Sequence, residues 1–390
     1  MSIRLIAAIA ATLLFAAAAP GYAQDTIKVG LIAPMTGPFA PNGKQMQTAA
    51  QLYMKEHGDT VAGHKIELIV KDDAGVPDTS KRLAQELVVN DGVKFLMGFG
   101  LTPIALAVGP IATEAKVPAI ITLAGTSIIT EKSPYFVRTS FTLPQSAVII
   151  ADWAAKNGIK KVVTLVSDYA PGQDAEKAFV ERFKAGGGET LESVRVPLAN
   201  PDYAPFLQRA ADAKPDALFI FVPASQCGVV MKQFVERGLD KSGIKVIGTG
   251  DFADDDILNG MGDAVLGAVT AHNYSASHPS AMNQDFVKAY KAVSGGGRPN
   301  FVGVHTYDGM HLVYAALEKT GGDTDGDKLI AAMKGMAWES PRGPISIDPD
   351  TRDIIQNIYI REVKRGEDGE LYSMEFATFE NVKDPVKAAK

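Results

Sequence analysis

The chain has 390 residues, with 39 lysines and arginines against 45 acidic side chains and a formal net charge of −6 at pH 7. This balance excludes the basic surface that binds nucleic acid or an anionic membrane. The length exceeds what one hydrophobic core usually serves, which predicts two lobes. The only cysteine, Cys227, permits no intramolecular disulfide, and we expect its thiol to be buried as a small apolar group.

The N-terminal segment has the organisation of a secretory signal peptide. One positive charge in "MSIR" precedes the apolar run "LIAAIAATLLFAAAA", and small residues end the segment before Gln24. The apolar run is short for a membrane span, so a permanent anchor is the weaker alternative. We therefore predict a signal peptide over residues 1–23, cleaved near Ala23, and an exported protein of the periplasm.

From residue 26 onward, short β-branched runs alternate with amphipathic helical stretches. The predicted strands up to residue 272 are "IKVGLIA", "KIELIVKD", "VKFLMGF", "VPAIITL", "KVVTLVS", "TLESVRV", "DALFIFV", "IKVIGTG" and "AVLGAVTA". Several are apolar almost throughout, as strands buried on both faces are. Helical stretches such as "DTSKRLAQELVVNDG" and "GQDAEKAFVERFKAGGG" separate them, each closed by glycine. This alternation predicts βαβ units, and therefore an α/β fold with parallel sheets covered by helices.

The alternation runs once to about residue 139 and again from about residue 144 to residue 272. Further helical patterns follow, including "FVGVHTYDGMHLVYAALEKTG", and then the strands "GPISID", "IIQNIYIREVKRG" and "LYSMEFATF". Two α/β halves followed by more helices indicate two Rossmann-like lobes joined by several crossovers.

The loop "TGPFAPNGKQM" joins the first strand to the first helix, where nucleotide-binding proteins hold phosphates. A Walker loop needs four residues between its first glycine and Gly-Lys, followed by Ser or Thr. Here five residues separate Gly37 from Gly43, and Gln45 replaces the hydroxyl. Pro38 and Pro41 also remove two backbone amides. We therefore reject a nucleotide site.

No stretch assembles a catalytic or metal-binding constellation. "DTDGDKLIAAMK" begins like a calcium loop, but Lys334 stands where a bidentate glutamate is needed, so we expect a helix cap with solvated acids. "DFADDD", residues 251–256, is likewise expected to be a solvated helix start. The sequence contains no H-E-x-x-H, G-x-S-x-G or C-x-x-C motif. We accordingly predict no catalytic residue, no metal, no cofactor and no enzymatic activity.

Two loops at the carboxyl ends of neighbouring strands carry hydroxyl groups. Thr102 follows "VKFLMGF" near the first turn of a helix, and Thr126 and Ser127 follow "VPAIITL" in the matching place. Ligands of parallel α/β sheets bind at this edge, and helix N-termini offer unpaired N–H groups that suit a carboxylate. The two loops could therefore clamp one carboxylate. The alternative is that each hydroxyl only caps its helix.

The segments "IKVGLIAPMTGPFAPNGKQMQTAAQLYM", "DDAGVPDTSKRLAQELVVNDGV" and "VPAIITLAGTS" resemble the leucine/isoleucine/valine-binding protein family, the type I periplasmic solute receptors of ABC importers. The resemblance covers essentially the whole mature chain. "FVRTSFTLPQ" and "TGDFADDDILNGMGDAVLGAV" are similar to the branch that takes up small aromatic acids. The family implies three hinge strands, near residues 139–141, 271–274 and 349–354, and a ligand enclosed between the lobes by hinge closure.

The same resemblance implies the domain boundaries and the partners. Lobe 1 would comprise residues 24–140 plus 273–350, and lobe 2 residues 141–272 plus 351–380. The protein would be a monomer that captures a small carboxylate-bearing solute, either an aromatic acid or a branched-chain or hydrophobic amino acid. It would deliver this solute to an ABC permease driven by separate ATPase subunits. The alternative function is a sensor that presents the same solute to a chemoreceptor or a membrane kinase.

The family's ligand contacts carry over onto matching positions of both lobes. Those implied in lobe 1 are Thr102, Ala124, Thr126 and Ser127 at the carboxylate, Phe39 and Asn42 at the wall, and Tyr307, beside His305, at the mouth. Those implied in lobe 2 are Tyr169 and Pro171 after "VVTLVSD", Ala224 and Ser225 after the next strand, and Asp251.

Lobe 2 departs from the family pattern at three of these positions. Pro171, and Pro223 or Ala224, stand where the family has aromatic residues, which leaves room for a group larger than isobutyl. Gly250 aligns with the acidic residue that pairs with an amino acid's ammonium, although Asp251 is adjacent. Without that carboxylate, an ammonium would be buried unpaired. The departures favour an acid with an apolar, aromatic body, and an ordinary amino acid remains the alternative.

Overall fold

The computed structural model describes residues 25–199 and 201–388. The predicted signal peptide over residues 1–23 lies outside the described residues. Within the described ranges, no helix is both long enough and apolar enough to cross a membrane.

The secondary structure alternates strands and helices over most of its length. The strands are β1 (Thr26–Ala33), β2 (Thr60–Val61), β3 (His64–Asp72), β4 (Phe95–Gly98), β5 (Ala119–Ile121), β6 (Phe136–Arg138), β7 (Lys161–Ser167), β8 (Glu189–Val196), β9 (Ala217–Phe221), β10 (Lys245–Thr249), β11 (Val269–His272), β12 (Ala337–Ser340), β13 (Gly343–Ile347), β14 (Ile354–Arg365) and β15 (Leu371–Val382). The α-helices are α1 (Ala40–His57), α2 (Pro77–Glu86), α3 (Thr102–Ala115), α4 (Leu143–Lys156), α5 (Ala170–Ala185), α6 (Ala204–Asp212), α7 (Ala224–Glu236), α8 (Leu258–Met261), α9 (Ala281–Val293), α10 (Phe301–Thr320), α11 (Gly326–Met333) and α12 (Pro385–Ala388). A π-helical turn, Leu87–Asp91, extends α2, and short 3-10 turns cover Ser127–Glu131 and Gly250–Ala253.

The strands form two sheets. The first has the order β2-β3-β1-β4-β5-β6 and is parallel except for the β2–β3 pair. The second has the order β12-β13-β14-β11-β10-β9-β7-β8, with β15 paired to β14. Its strands β7 to β11 are parallel, whereas β12 to β15 pair in antiparallel fashion. The predicted α/β fold with two parallel-sheet lobes is confirmed.

The apolar runs in the sequence become strands that are buried on both faces. In β1, Val29, Leu31 and Ile32 are 0 % exposed, because helices cover both sides of the first sheet. Helices α1 and α10 pack against each other, so the late helices of the chain complete the first lobe. The lobe boundaries stay a prediction. Residues 273–350 are predicted to belong to lobe 1, but strands β12 and β13 of this range hydrogen-bond into the second sheet through β14.

Three buried arginines hold the segments that follow strands β5, β6, β10 and β11. Arg138, Arg342 and Arg361 are each at most 1 % exposed. Their guanidinium groups donate to backbone carbonyls that the sheet ladders leave unpaired, namely Ala124, Thr126 and Phe141; Thr139 and Ser140; and Gly250 and Tyr274. Because a buried carbonyl without a donor is costly, these contacts let irregular backbone run through the protein interior.

Two local predictions are confirmed. Asp325 caps α11 by accepting a hydrogen bond from the N–H of Lys328 at 3.0 Å, and the neighbouring acids are solvated. The Cys227 thiol is 0 % exposed, and burial raises its pKa well above the ordinary value. Cys227 is therefore an unreactive core residue.

Candidate ligand-binding cleft

A cavity lies between the two lobes. The carboxyl ends of the parallel strands of both sheets point toward it, as expected for ligand sites in this fold class. The first lobe and its late helix α10 line it with Phe39, Asn42, Gly100, Leu101, Thr102, Leu123, Ala124, Gly125 and Phe301, and Phe141 lines it at the predicted lobe boundary. The second lobe lines it with Leu143, Tyr169, Pro171, Phe221, Pro223, Ala224 and Asp251.

The two threonines predicted to clamp a carboxylate lie together. Thr102 is the first residue of α3, and its Oγ1 atom lies 2.7 Å from Oγ1 of Thr126 in the loop after β5. They are 1 % and 4 % exposed, respectively. Thr102 lines the cavity, and Thr126 lies behind it. Thr126 is the N-cap residue of the turn Ser127–Glu131, but its side chain makes no capping hydrogen bond. Thr102 follows Leu101, which is the N-cap residue of α3.

Arg138 fixes the loop that carries Thr126. Its guanidinium donates to the carbonyl oxygens of Ala124 and Thr126, both at 2.7 Å, and pairs with Asp353 at 2.8 Å. Because the C=O and N–H of a trans peptide point in opposite directions, the N–H of Gly125 is directed away from Arg138. The arginine therefore determines how this loop presents its backbone to the cavity that Ala124 and Gly125 line.

Ser127 joins the same loop to the second lobe. Its backbone N–H donates to Oδ2 of Asp174 on α5 at 3.1 Å. Burial raises the pKa of Asp174, and the hydrogen bond from Ser127 opposes that rise. Ser127 itself does not line the cavity. It contributes a contact between the lobes directly beside the threonine pair.

Aromatic rings form much of the cavity wall. The lining includes Phe39, Phe141, Tyr169, Phe221 and Phe301. Tyr169 stacks on Phe221 with 6.2 Å between ring centroids, and Phe141 meets Phe301 edge to face at 5.7 Å. Such packing gives rigid, flat apolar surfaces.

Asp251 is the one acidic residue of the cavity lining. It is 8 % exposed, and burial raises the pKa of its carboxyl to about 6. Its Oδ2 atom has no hydrogen-bond partner among the described residues. Burial together with the charge of Asp251 raises the pKa of Tyr169, which places these two side chains in the same polar corner of the second lobe.

Gly250 cannot carry a side chain in this fold. A Cβ atom there would lie 2.1 to 2.2 Å from atoms of the His272 side chain. His272 is 0 % exposed, and burial holds its pKa well below the ordinary value, so the imidazole is neutral. Neither of its ring nitrogens has a partner within the described part of the chain. A neutral ring therefore fills the space that an acidic side chain at position 250 would need.

The sequence profile of the periplasmic binding protein family matches residues 26–370. The chain belongs to this family.

This periplasmic binding protein is similar to characterised and solved members over nearly its full length. It is 45 % identical over 381 residues to the Leu/Ile/Val-binding protein homolog 6 of Brucella suis, covering 97 % of this chain and 98 % of that one. It is 70 % identical, with a TM-score of 0.91, to an ABC transporter solute-binding protein of Rhodopseudomonas palustris BisB5 in complex with 3,4-dihydroxybenzoic acid, covering 93 % of this chain and 100 % of the other. A solute-binding protein of Rhodopseudomonas palustris in complex with 4-hydroxybenzoate is 43 % identical, with a TM-score of 0.90 and coverage of 94 % and 100 %. The chain is thus an ABC transporter solute-binding protein.

The acidic segment of this binding protein is buried, and the prediction of a solvated helix start over residues 251–256 is wrong. Asp254 and Asp255 are 0 % and 1 % exposed. Asp255 accepts a hydrogen bond from the N–H of Ala276 at 2.8 Å, and Asp254 accepts one from the N–H of Phe301 at 3.4 Å. Phe301 is the first residue of α10 in the first lobe. The acids do meet the positive end of a helix dipole, but the helix belongs to the opposite lobe.

The predicted mouth residues lie away from the cavity. The Tyr307 hydroxyl donates to Glu56 at 2.7 Å, and its ring packs against Tyr53, so Tyr307 does not reach the ligand space. His305 is 0 % exposed, and its Nε2 atom lies 2.6 Å from Nδ2 of Asn273. Tyr307 and His305 both belong to α10. Ser225 is the second residue of α7, and its side chain lies outside the described part of the structure.

Several cavity residues carried no signal in the sequence. Phe141, Phe221 and Phe301 are apolar side chains that any strand end or helix start could bury. Arg138 looked like one of many charged residues in a strand. An arginine with no other charged residue beside it in a short strand, as in "YFVRTSF", was the available hint that the charge is buried and paired.

Proposed function

We propose that the protein captures an aromatic carboxylic acid in the interlobe cleft and delivers it to a membrane permease whose separate ATPase subunits drive import. It acts without turning the ligand over, as a monomer in the periplasm, after removal of a signal peptide near Ala23. The observation that carries this proposal is the division of the cavity: paired hydroxyls on one lobe, an unpaired carboxylate on the other, and aromatic walls.

The ligand's carboxylate is assigned to the first lobe. Thr102 offers a hydroxyl at the start of α3, where the helix dipole favours an anion. The cavity residues of that lobe include no acidic side chain, whereas Asp251 faces the cavity from the second lobe. A carboxylate near Asp251 would place two acids in one poorly hydrated space, which is unfavourable.

The body of the ligand is assigned to the aromatic walls. Phe39, Tyr169 and Phe221 offer flat surfaces against which a benzene ring can stack. Pro171 and Ala224 occupy the positions where the family resemblance implies aromatic side chains, so the second lobe leaves room for a ring.

The glycine at position 250 argues against an α-amino acid as the ligand. The resemblance implies an acidic residue there that pairs with the ammonium, and His272 excludes any side chain at Gly250. The neutral imidazole supplies no negative charge. The ligands of the two similar solute-binding proteins, 3,4-dihydroxybenzoic acid and 4-hydroxybenzoate, support an aromatic acid.

Isothermal titration calorimetry and thermal unfolding of the mature protein test the proposal. Benzoate-type acids and branched-chain amino acids are titrated side by side. A ligand at a hundred times its dissociation constant should add about 2.7 kcal/mol to the free energy of unfolding. We expect this stabilisation from at least one benzoate-type acid. Binding of leucine or valine, with none from any benzoate, would refute the proposal.

A further inference from the structure

The unpartnered oxygen of Asp251 marks a vacant acceptor in the cavity. The residue is 8 % exposed and lines the ligand space, and its Oδ2 atom has no donor among the described residues. Leaving a buried acceptor unpaired costs about 1 to 3 kcal/mol, and more when the group is charged. Most buried polar atoms in folded proteins have a partner, and an unpaired one that faces a ligand space is available to a donor from the ligand.

The nearby cation and thiol are committed elsewhere. Arg361, the cation whose charge acts on Asp251, donates to the carbonyl oxygen of Gly250 at 3.0 Å and to that of Tyr274. The Cys227 thiol lies 3.5 Å from the backbone carbonyl of Asp251 and not against its carboxylate. The Thr249 hydroxyl lies close enough to this carboxylate to lower its pKa, but the Oδ2 atom of Asp251 forms no hydrogen bond among the described residues.

We infer that Asp251 accepts a hydrogen bond from a ring hydroxyl of the ligand, so that the cleft selects hydroxylated benzoic acids over benzoate itself. This inference rests on the proposed function, which assigns the ligand's carboxylate to Thr102 on the opposite lobe. A hydroxyl on the far side of the ring is directed away from that carboxylate and toward the second lobe. Asp251 is thus a specificity-determining residue.

An ammonium is a poorer match for the same oxygen. In an α-amino acid the ammonium and the carboxylate are attached to one carbon, so both must be bound at one end of the ligand. Thr102 follows β4 of the first sheet, whereas Asp251 follows β10 of the second, and the two face the cavity from different lobes. A rigid ring with substituents at opposite ends satisfies both groups at once.

The selectivity comes from the Asp251 oxygen, which a ligand without a ring hydroxyl would leave unpaired. Benzoate would bury the free oxygen of Asp251 with no donor, and sites built around a buried polar group discriminate strongly against ligands that lack the partner. We expect 4-hydroxybenzoate to bind about 10- to 100-fold more tightly than 4-methylbenzoate, which has similar size and no donor. This comparison uses the unmodified protein and needs no variant.

The matched variants are Asp251→Asn and Asp256→Asn. Both remove one carboxylate from the same segment, but the half-buried Asp256 side chain accepts from Asn300 at 3.0 Å and does not line the cavity. We expect Asp251→Asn to reduce the preference for 4-hydroxybenzoate over 4-methylbenzoate at least about fivefold, because the charge-assisted part of the hydrogen bond is lost. Asp256→Asn should leave the preference unchanged. Thermal unfolding of each variant verifies that it is folded.

The outcomes separate the inference from the function on which it rests. Equal affinity of the unmodified protein for benzoate, 4-methylbenzoate and 4-hydroxybenzoate overturns the inference and leaves the proposed function standing. An unchanged preference in folded Asp251→Asn also overturns the inference alone. If none of these acids binds and leucine does, both fail. If Asp251→Asn does not fold, the ligand series on the unmodified protein decides.

Discussion

Replacing Thr102 with valine is the most direct test of the threonine pair. The substitution exchanges a hydroxyl for a methyl group at nearly constant volume, at a residue that is 1 % exposed and begins α3. It removes a proposed donor to the ligand's carboxylate. It also removes the hydrogen-bond partner of the Thr126 hydroxyl, which lies 2.7 Å from the Thr102 hydroxyl in the unmodified protein.

The magnitude follows from these two losses. A hydrogen bond to a charged group contributes about 1.5 to 3 kcal/mol, but the neighbouring Thr126 hydroxyl can compensate in part, so we expect binding to weaken by about 1 to 2 kcal/mol. That corresponds to an increase of about 5- to 30-fold in the dissociation constant. Because the two hydroxyls share one hydrogen bond, the double variant with Thr126→Val should weaken binding by less than the sum of the single variants.

Calorimetric titration with 4-hydroxybenzoate measures the effect, and Thr122→Val is the matched control. Thr122 is 0 % exposed, and its hydroxyl donates to the carbonyl of Gly98 at 3.4 Å, but it does not line the cavity. This control should bind within twofold of the unmodified protein. A Thr102→Val dissociation constant equal to that of the control would remove Thr102 from the carboxylate site.

Three further substitutions test the supporting structure. Arg138→Met should lower the free energy of unfolding in denaturant by about 3 kcal/mol and should weaken ligand binding, since it removes a donor from the buried carbonyls of Ala124 and Thr126 and leaves the buried Asp353 carboxylate with Lys387. Arg352→Met, which touches neither Ala124 nor Thr126, should lower stability with affinity intact. Gly250→Ala should cost about 2 kcal/mol of stability through its clash with His272, and an unchanged melting temperature would contradict the packing described above. His272→Phe should make stability less sensitive to acid. The folded protein keeps this imidazole neutral because burial lowers its pKa, whereas the unfolded chain protonates it near pH 6.5. Stability is therefore lost as pH falls below 6.5, by up to about 1.4 kcal/mol per pH unit, and parallel stability profiles from pH 7 to pH 5 for the variant and the unmodified protein would refute this.

Local signals in the sequence were sufficient for the fold and for half of the cleft. Strands such as β1 and β9 are apolar along their length because helices cover both faces, and this pattern is visible without tertiary information. The proximity of Thr102 and Thr126 could be predicted because parallel neighbouring strands end at the same edge of a sheet. The fold class therefore required only the order of the elements.

Contacts between distant segments were beyond local reasoning. The burial of Asp254 depends on the N–H of Phe301, which belongs to a helix of the other lobe. The burial of Arg138 depends on Asp353, 215 positions away in the chain. From sequence alone, a cluster of acids and a lone arginine are both predicted to be solvated. A buried charge is stable only beside its partner, and here the partner lies in a distant segment of the chain. The same limit explains why Tyr307 was predicted at the mouth of the cleft.

The segments that line the cavity also carry contacts between the lobes, and we therefore expect ligand capture to be coupled to closure. Ser127 follows Thr126 directly and bonds to Asp174 across the cleft. Asp254 follows Asp251 by three residues and accepts from Phe301, which itself lines the cavity. Separating the lobes would break these hydrogen bonds and open both ends of the proposed site together. A ligand that bridges the threonine pair and Asp251 stabilises only the arrangement in which both lobes meet, so its binding energy favours the closed form that a permease can distinguish from the open one.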